Sequence, residues 1–235
     1  MKLSYGWAVV AAAFTLMFVG FGAAYSFAAF FSAFQAEFGA PRGHVALVFS
    51  VAAFIWFAIG APAGMLSDRF GPRKVTLAGV VLIAASLWLA SRAQSVETLY
   101  ATYSIGLGIG IGLVYVPAVG AVQPWFEANR AAASGIAVAG IGAGNFAGPL
   151  LAERLIQDYG WRGAYVWLAA FALALGGAAA LAIREKTAFR KDTALPGATL
   201  REALRTREFA LIYAGMVFIC IGVFVPMVHL GPYAQ

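Results

Sequence analysis

The sequence predicts an all-α membrane protein: a six-helix bundle of two inverted three-helix repeats, followed by a linker and a seventh transmembrane helix. Three observations carry that prediction. Hydrophobic residues fill 62% of the 235 positions and charged residues only 11%, far below the charged share of about a quarter in soluble domains. Seven apolar stretches each reach the length of about 17 residues or more that a helix needs to cross a bilayer. A turn between the second and third stretches returns, in reduced form, between the fifth and sixth.

The stretches run in order from Tyr5 to Phe34, Val45 to Ser67, Val75 to Ser91, Thr98 to Phe126, Ala131 to Ala152, Gly163 to Ile183 and Phe209 to Leu230. The first follows Met1 and Lys2, but its apolar run from Trp7 to Phe31 is about twice the core of a signal peptide, so it reads as a retained helix. Many of the 27 glycines lie inside these runs, where small residues let helices approach closely. The connections are short until the polar stretch Arg184 to Glu208, which carries Pro196 and Gly197 and reads as a linker at the membrane surface. These divisions give a six-helix unit over 1–183, a linker over 184–208 and a further helix over 209–235.

Orientation follows from the basic residues. Of the 16 Lys and Arg, all but Arg42, Arg92, Arg154 and Arg162 fall on the side of the amino terminus. The positive-inside rule therefore makes that terminus, the linker and the turn after the second helix cytoplasmic, in a cell (inner) membrane. The same placement explains the net charge of +6 without a nucleic-acid partner. Cys220, the single cysteine, excludes an internal disulfide, and His44 and His229 are too far apart in sequence to suggest a metal site. No cofactor is called for. Phosphate loops and nucleophile–base pairs are missing from the sequence, which argues against an enzyme.

The turn itself, Gly64 to Val75, reads as a charged hairpin loop between two apolar spans, with Gly71 and Pro72 punctuating it. Phe70-Gly71-Pro72-Arg73 is echoed 89 residues later by Tyr159-Gly160-Trp161-Arg162. The same offset brings the glycine-rich middle of the first span (Gly20, Gly22) onto that of the fourth (Gly108, Gly110, Gly112). Two independent aromatic-Gly turns would also give the echo. Three spans per repeat forces the copies to cross in opposite senses, a pattern found in secondary transporters.

The pattern Gly64-x-Leu66-x-Asp68-Arg69-x-Gly71-x-Arg73-x-Val75 resembles the loop signature of the major facilitator superfamily. Shorter matches resemble its monocarboxylate transporter and oxalate/formate antiporter branch. These are Tyr5-Gly6-Trp7, the run Gly112 to Pro117, Trp125-Phe126 before Arg130, and Val228-His229-Leu230-x-Pro232-Tyr233. The resemblance implies two six-helix halves that rock about a central path, so the chain reads as the first half plus helix seven of a carrier of about twelve spans. It implies small organic anions as substrates, with protons or a counter-anion as coupling partners, and the missing carboxy-terminal half and the lipid bilayer as surroundings. In that branch the carboxylate-binding arginine belongs to helix eight, beyond Gln235.

The resemblance also assigns roles. Gly64, Asp68, Arg69, Gly71 and Arg73 would form a conformational latch, with Asp68 after the end of helix two and pairing with the opposite half; a solvated topology signal is the plainer reading of the basic residues. Along helix five, Gly135, Gly140, Gly142, Gly144 and Gly148 precede Pro149, which can bend it. The branch associates this region with exchange, though plain helix packing explains it equally well. The first six spans hold no charged residue in their interiors, so substrate contacts fall to neutral groups. Tyr115, then Tyr25 and Asn145, are the leading candidates, with Ser26, Tyr103, Ser104 and Ser134 also available and the glycines of helices one and four leaving room for a small ligand. Interhelical hydrogen bonds are the competing reading for each. Two rival functions remain: a drug or neutral-solute exporter of the same superfamily, and a non-transporting seven-helix sensor or assembly subunit.

Overall fold

The computed structural model describes residues 5–185, 205–211, 214 and 215. The chain divides into two compact units, Met1–Ala188 and Phe189–Gln235. In the first, helix dominates. It contains α1 (Tyr5–Phe38), α2 (42–70), α3 (Pro72–Ala90) and α4 (Val96–Trp125), and a long run from Arg130 to Ala182. Gly160 divides that run: its φ of 68° and ψ of 169° are non-helical, giving α5 (130–159) and α6 (161–182). Of the second unit, 207–211 are helical, with the Thr206 hydroxyl accepting from the Phe209 amide at 3.3 Å. Most of the linker and of the seventh helix, with Cys220 and His229, lies outside the described residues.

The charged loop expected from Gly64 to Val75 is a correction. Helix continues through Asp68 and Arg69 to Phe70, one residue breaks it, and Pro72 starts α3. A proline fits the first helical position because its missing N–H would have no partner there. Gly71, at φ 86° and ψ 146°, occupies backbone space nearly closed to residues with a Cβ. Gly160, at the equivalent place of the echo, adopts nearly the same conformation. The two turns are thus alike in backbone as well as in sequence.

Contacts at the helix ends confirm the alternation. On the amino-terminal side the Tyr5 hydroxyl donates to the Ala182 carbonyl at 2.9 Å, and Trp125 Nε1 donates to that of Arg184 at 3.2 Å. At the other end Arg162 binds the Ser91 and Ala93 carbonyls at 3.1 and 2.8 Å and pairs with Glu37 at 2.9 Å. Starts of α1 and ends of α4 and α6 therefore share one side, and the end of α1 and start of α6 share the other.

Glycines set the interhelical spacing. A Cβ added at Gly140, Gly144 or Gly148 would collide with the carbonyl oxygen of Phe14, Phe18 or Gly22, so α5 lies backbone to backbone along α1. Gly135 and Gly142 face open space, and helix continues through Pro149. In α4 a Cβ at Gly108 would sit 2.8 Å from the Ala52 carbonyl of α2, and one at Gly110 2.7 Å from Ile83 of α3. Gly108, Gly110 and Gly112 consequently do not leave room for a ligand, because neighbouring helices fill it, whereas Gly120 has nothing within 4 Å of its Cβ position. On the outer surface Phe54 and Phe146 are 73% and 75% exposed, an apolar face suited to lipid or to further helices.

Candidate functional site

Three helices depart from regularity. α1 breaks at Ser26, whose hydroxyl turns back to the Ala23 carbonyl at 2.7 Å, while Tyr103 from α4 donates to the Ala24 carbonyl at 2.9 Å. In α2 the segments Arg42–Ala58 and Gly60–Phe70 meet at 45°. α4 contains Pro117, which cannot donate the usual bond to the carbonyl four residues earlier. Interrupted helices are tolerated inside a membrane where they are buried in protein or line a cavity, and there they build binding sites.

Aromatic rings gather beside these interruptions. Phe21 of α1 stacks on Tyr25 with centroids 6.3 Å apart, and meets Tyr115 of α4 edge-on at 5.8 Å and Trp56 of α2 at 5.9 Å. Phe49 closes the group, 5.9 Å from Tyr25 and 5.7 Å from Trp56. Tyr25 and Tyr115 are both half-buried and share Phe21 as a neighbour. What results is a neutral, ring-lined region with hydroxyl donors, able to hold an apolar body and orient one polar end. Phe21, Phe49 and Trp56 escape sequence reasoning because aromatics in an apolar run look like ordinary core. Their one signal is the seven-residue spacing of Phe49 and Trp56, two turns along one helix face.

Asn145 is half-buried on α5, makes no hydrogen bond with a described residue and is not brought to the tyrosines by any contact. The Ser104 hydroxyl donates to the Val48 carbonyl at 2.7 Å; like those of Tyr103 and Ser26, it serves the helix framework.

The proposed latch residues lie on the amino-terminal side. Asp68 is exposed, in the last turn of α2 rather than after it, and has no ion-pair partner among the described residues. Arg69 rests its guanidinium 5.2 Å from the Phe70 ring centre, and Arg73 is exposed. A Cβ on Gly64 would be 3.6 Å from Val116, an ordinary contact, and one on Gly71 would be 3.7 Å from a Glu185 carboxylate oxygen.

Beside them the short sequence motifs meet. Tyr5 packs on Trp125 at 5.5 Å and Trp7 on Phe126 at 5.2 Å. A Cβ on the intervening Gly6 would lie 2.9 Å from Trp125. Arg184, where the linker begins, caps the cluster 4.6 Å above the Tyr5 ring.

Comparison with known proteins accords with this architecture. Residues 12–235 match the family model described as Major Facilitator Superfamily. Monocarboxylate transporter 13 of Bos taurus is 34% identical over 96% of this chain and 53% of its own length. For Monocarboxylate transporter 11 of Mus musculus the figures are 32%, 98% and 52%. The Fujikurins efflux protein of Gibberella fujikuroi is 29% identical over 79% of the chain and 40% of its own length. A crystal structure of a mutant of the peptide transporter POT in complex with alafosfalin superposes with a TM-score of 0.66 at 20% identity, covering 92% of this chain and 46% of that one. The chain thus spans about half the length of the relatives it matches. With the family model covering nearly all of it, this multi-pass membrane protein belongs to the Major Facilitator Superfamily of transporters.

Proposed function

We propose that the chain forms the amino-terminal half of a secondary carrier of small organic anions, of the monocarboxylate or oxalate/formate kind, that works by alternating access. The convergence of Tyr25 and Tyr115 on Phe21, beside the interruptions of α1 and α2 and the proline of α4, carries the reading. Support comes from the relatives named monocarboxylate transporters. In this reading the amino terminus is cytoplasmic, the substrate's apolar body lies among the rings, and the tyrosine hydroxyls orient its oxygens. A carboxy-terminal half supplies the positive charge, and protons or a counter-anion provide coupling. Asn145 belongs to the periphery of the path. Tyr115→Phe in the complete carrier is expected to raise KM about tenfold, the loss of one hydrogen bond, with kcat changed little. An unchanged KM would remove Tyr115 from the site.

Gly64, Asp68, Arg69, Gly71 and Arg73 act as the latch. Asp68 has no partner within the described residues, and its carboxylate suits a cation or helix amino terminus of the opposite half. Asp68→Asn should insert normally yet lose most transport. Full uptake by a well-expressed variant would reduce the carboxylate to a surface charge. A second reading, export of a neutral or hydrophobic solute, is favoured by the uncharged interiors of the spans and by the efflux relative. Counterflow with labelled lactate, formate and oxalate separates the two.

A further inference from the structure

We infer that Trp56 is a further specificity-determining residue, its indole N–H donating to an oxygen of the transported solute. The inference rests on the anion-carrier reading above. Among the described residues only two buried side-chain polar atoms lack a hydrogen-bond partner: Nε1 of Trp56 and the hydroxyl of Tyr165. A buried donor without an acceptor is costly, so such groups are rare and require a reason. Tyr165 stacks 4.1 Å from Phe30 in the cluster that ties α1 to α6, and shares no ring contact with Tyr25 or Tyr115. The position of Trp56 is different. It is only 5% exposed, yet its ring contacts Phe21 and Phe49, the two rings that also touch Tyr25.

The local backbone adds a second observation. Trp56 lies three residues before Ile59, at the 45° bend of α2, so the donor sits at a place where the helix can change direction. Three neighbours of the indole, Phe21, Phe49 and Phe57, are phenyl rings, which can turn aside without breaking hydrogen bonds. A solute that displaces one of them gives the N–H the acceptor it lacks. Because the donor is buried without a protein partner, a solute without an oxygen at that point leaves it unpaired. Sites of this kind reject analogues lacking the acceptor more strongly than apolar pockets reject a change of size. With the two tyrosine hydroxyls, Trp56 would give three neutral donors around one small polar group, one from each of α1, α2 and α4.

Trp56→Phe in the complete carrier, reconstituted in vesicles, tests this. KM for the transported acid is expected to rise roughly tenfold, as for a lost hydrogen bond, with kcat within about twofold and no fall in thermal stability of the ligand-free protein beyond that of Phe49→Leu. Benzothienylalanine at position 56 keeps the bicyclic shape and lacks the N–H; it should reproduce the KM change even if the smaller phenylalanine impairs accumulation. An unchanged KM in the benzothienylalanine variant overturns the assignment, as does a loss of kcat and stability together without a KM change. Wild-type carrier that transports no carboxylate overturns the parent reading instead, and this inference with it.

Discussion

Gly144→Ala is expected to weaken the folded protein by about 1–3 kcal/mol, as overpacking does in other cores, and Gly144→Leu to prevent assembly of the amino-terminal half. The added Cβ has nowhere to go. It would collide with the Phe18 carbonyl and lie 2.9 Å from the Gly22 amide nitrogen, and both are backbone atoms that no side-chain rotation can move. Gly140 and Gly148 meet α1 in the same way one turn on either side, so separating the helices at Gly144 loosens the whole α1–α5 contact. Small residues matter here because lipid offers helices no hydrophobic drive to associate, leaving close van der Waals packing to do so. Gly142 supplies the control. With nothing within 4 Å of its Cβ position, Gly142→Ala should be neutral or stabilise by up to about 1 kcal/mol through helix propensity. Melting of the purified variants in detergent distinguishes the two sites; equal effects would show that helix propensity, rather than the α1–α5 approach, governs this stretch.

Arg162→Met should be the most damaging change at the opposite end of the bundle. Arg162 holds the Ser91 and Ala93 carbonyls, pairs with Glu37, and lies 4.2 Å from the centre of the Trp161 ring. Trp161 itself reaches Glu37 through Nε1 at 3.4 Å. One guanidinium thus ties α1, the α3–α4 connection and the start of α6, a task that requires its fork of donors. Arg162→Lys keeps the charge but not the fork, and is expected to fall between Arg162→Met and wild type. Glu37→Gln should cost least, because the ion pair is half-exposed and exposed pairs contribute little. Thermal melting of the three variants gives the ranking. A Glu37→Gln variant as unstable as Arg162→Met would make the ion pair, not the carbonyl contacts, the main tie.

The six helices of the first unit were legible because hydrophobic length and punctuating charges report directly on a bilayer. The repeat was legible for a similar reason: Gly71 and Gly160 occupy backbone space that other residues avoid, so the fold leaves a mark in the sequence. Charge, by contrast, misplaced the end of α2. Asp68 and Arg69 look like loop residues, but a helix that leaves the membrane carries its last turn into water, and charged residues there remain helical. Gly108, Gly110 and Gly112 of α4 were misread because a sequence cannot tell an empty space from one occupied by a neighbour. Glu37 and Arg162 pair across 125 residues, and Trp56 joins Tyr25 through Phe21 and Phe49. Neither relation has a local signature, and only the packing of α1, α2 and α6 reveals them.

The central claim is that the tyrosine-bearing region of this half contributes to the path of a small organic anion. Counterflow measures it most directly: vesicles containing the complete carrier, loaded with unlabelled oxalate, formate or lactate, are diluted into a trace of the same labelled acid. Transient accumulation of label, reduced at low substrate by Tyr115→Phe, is the predicted result. Active vesicles that accumulate a neutral solute but none of these acids would contradict it.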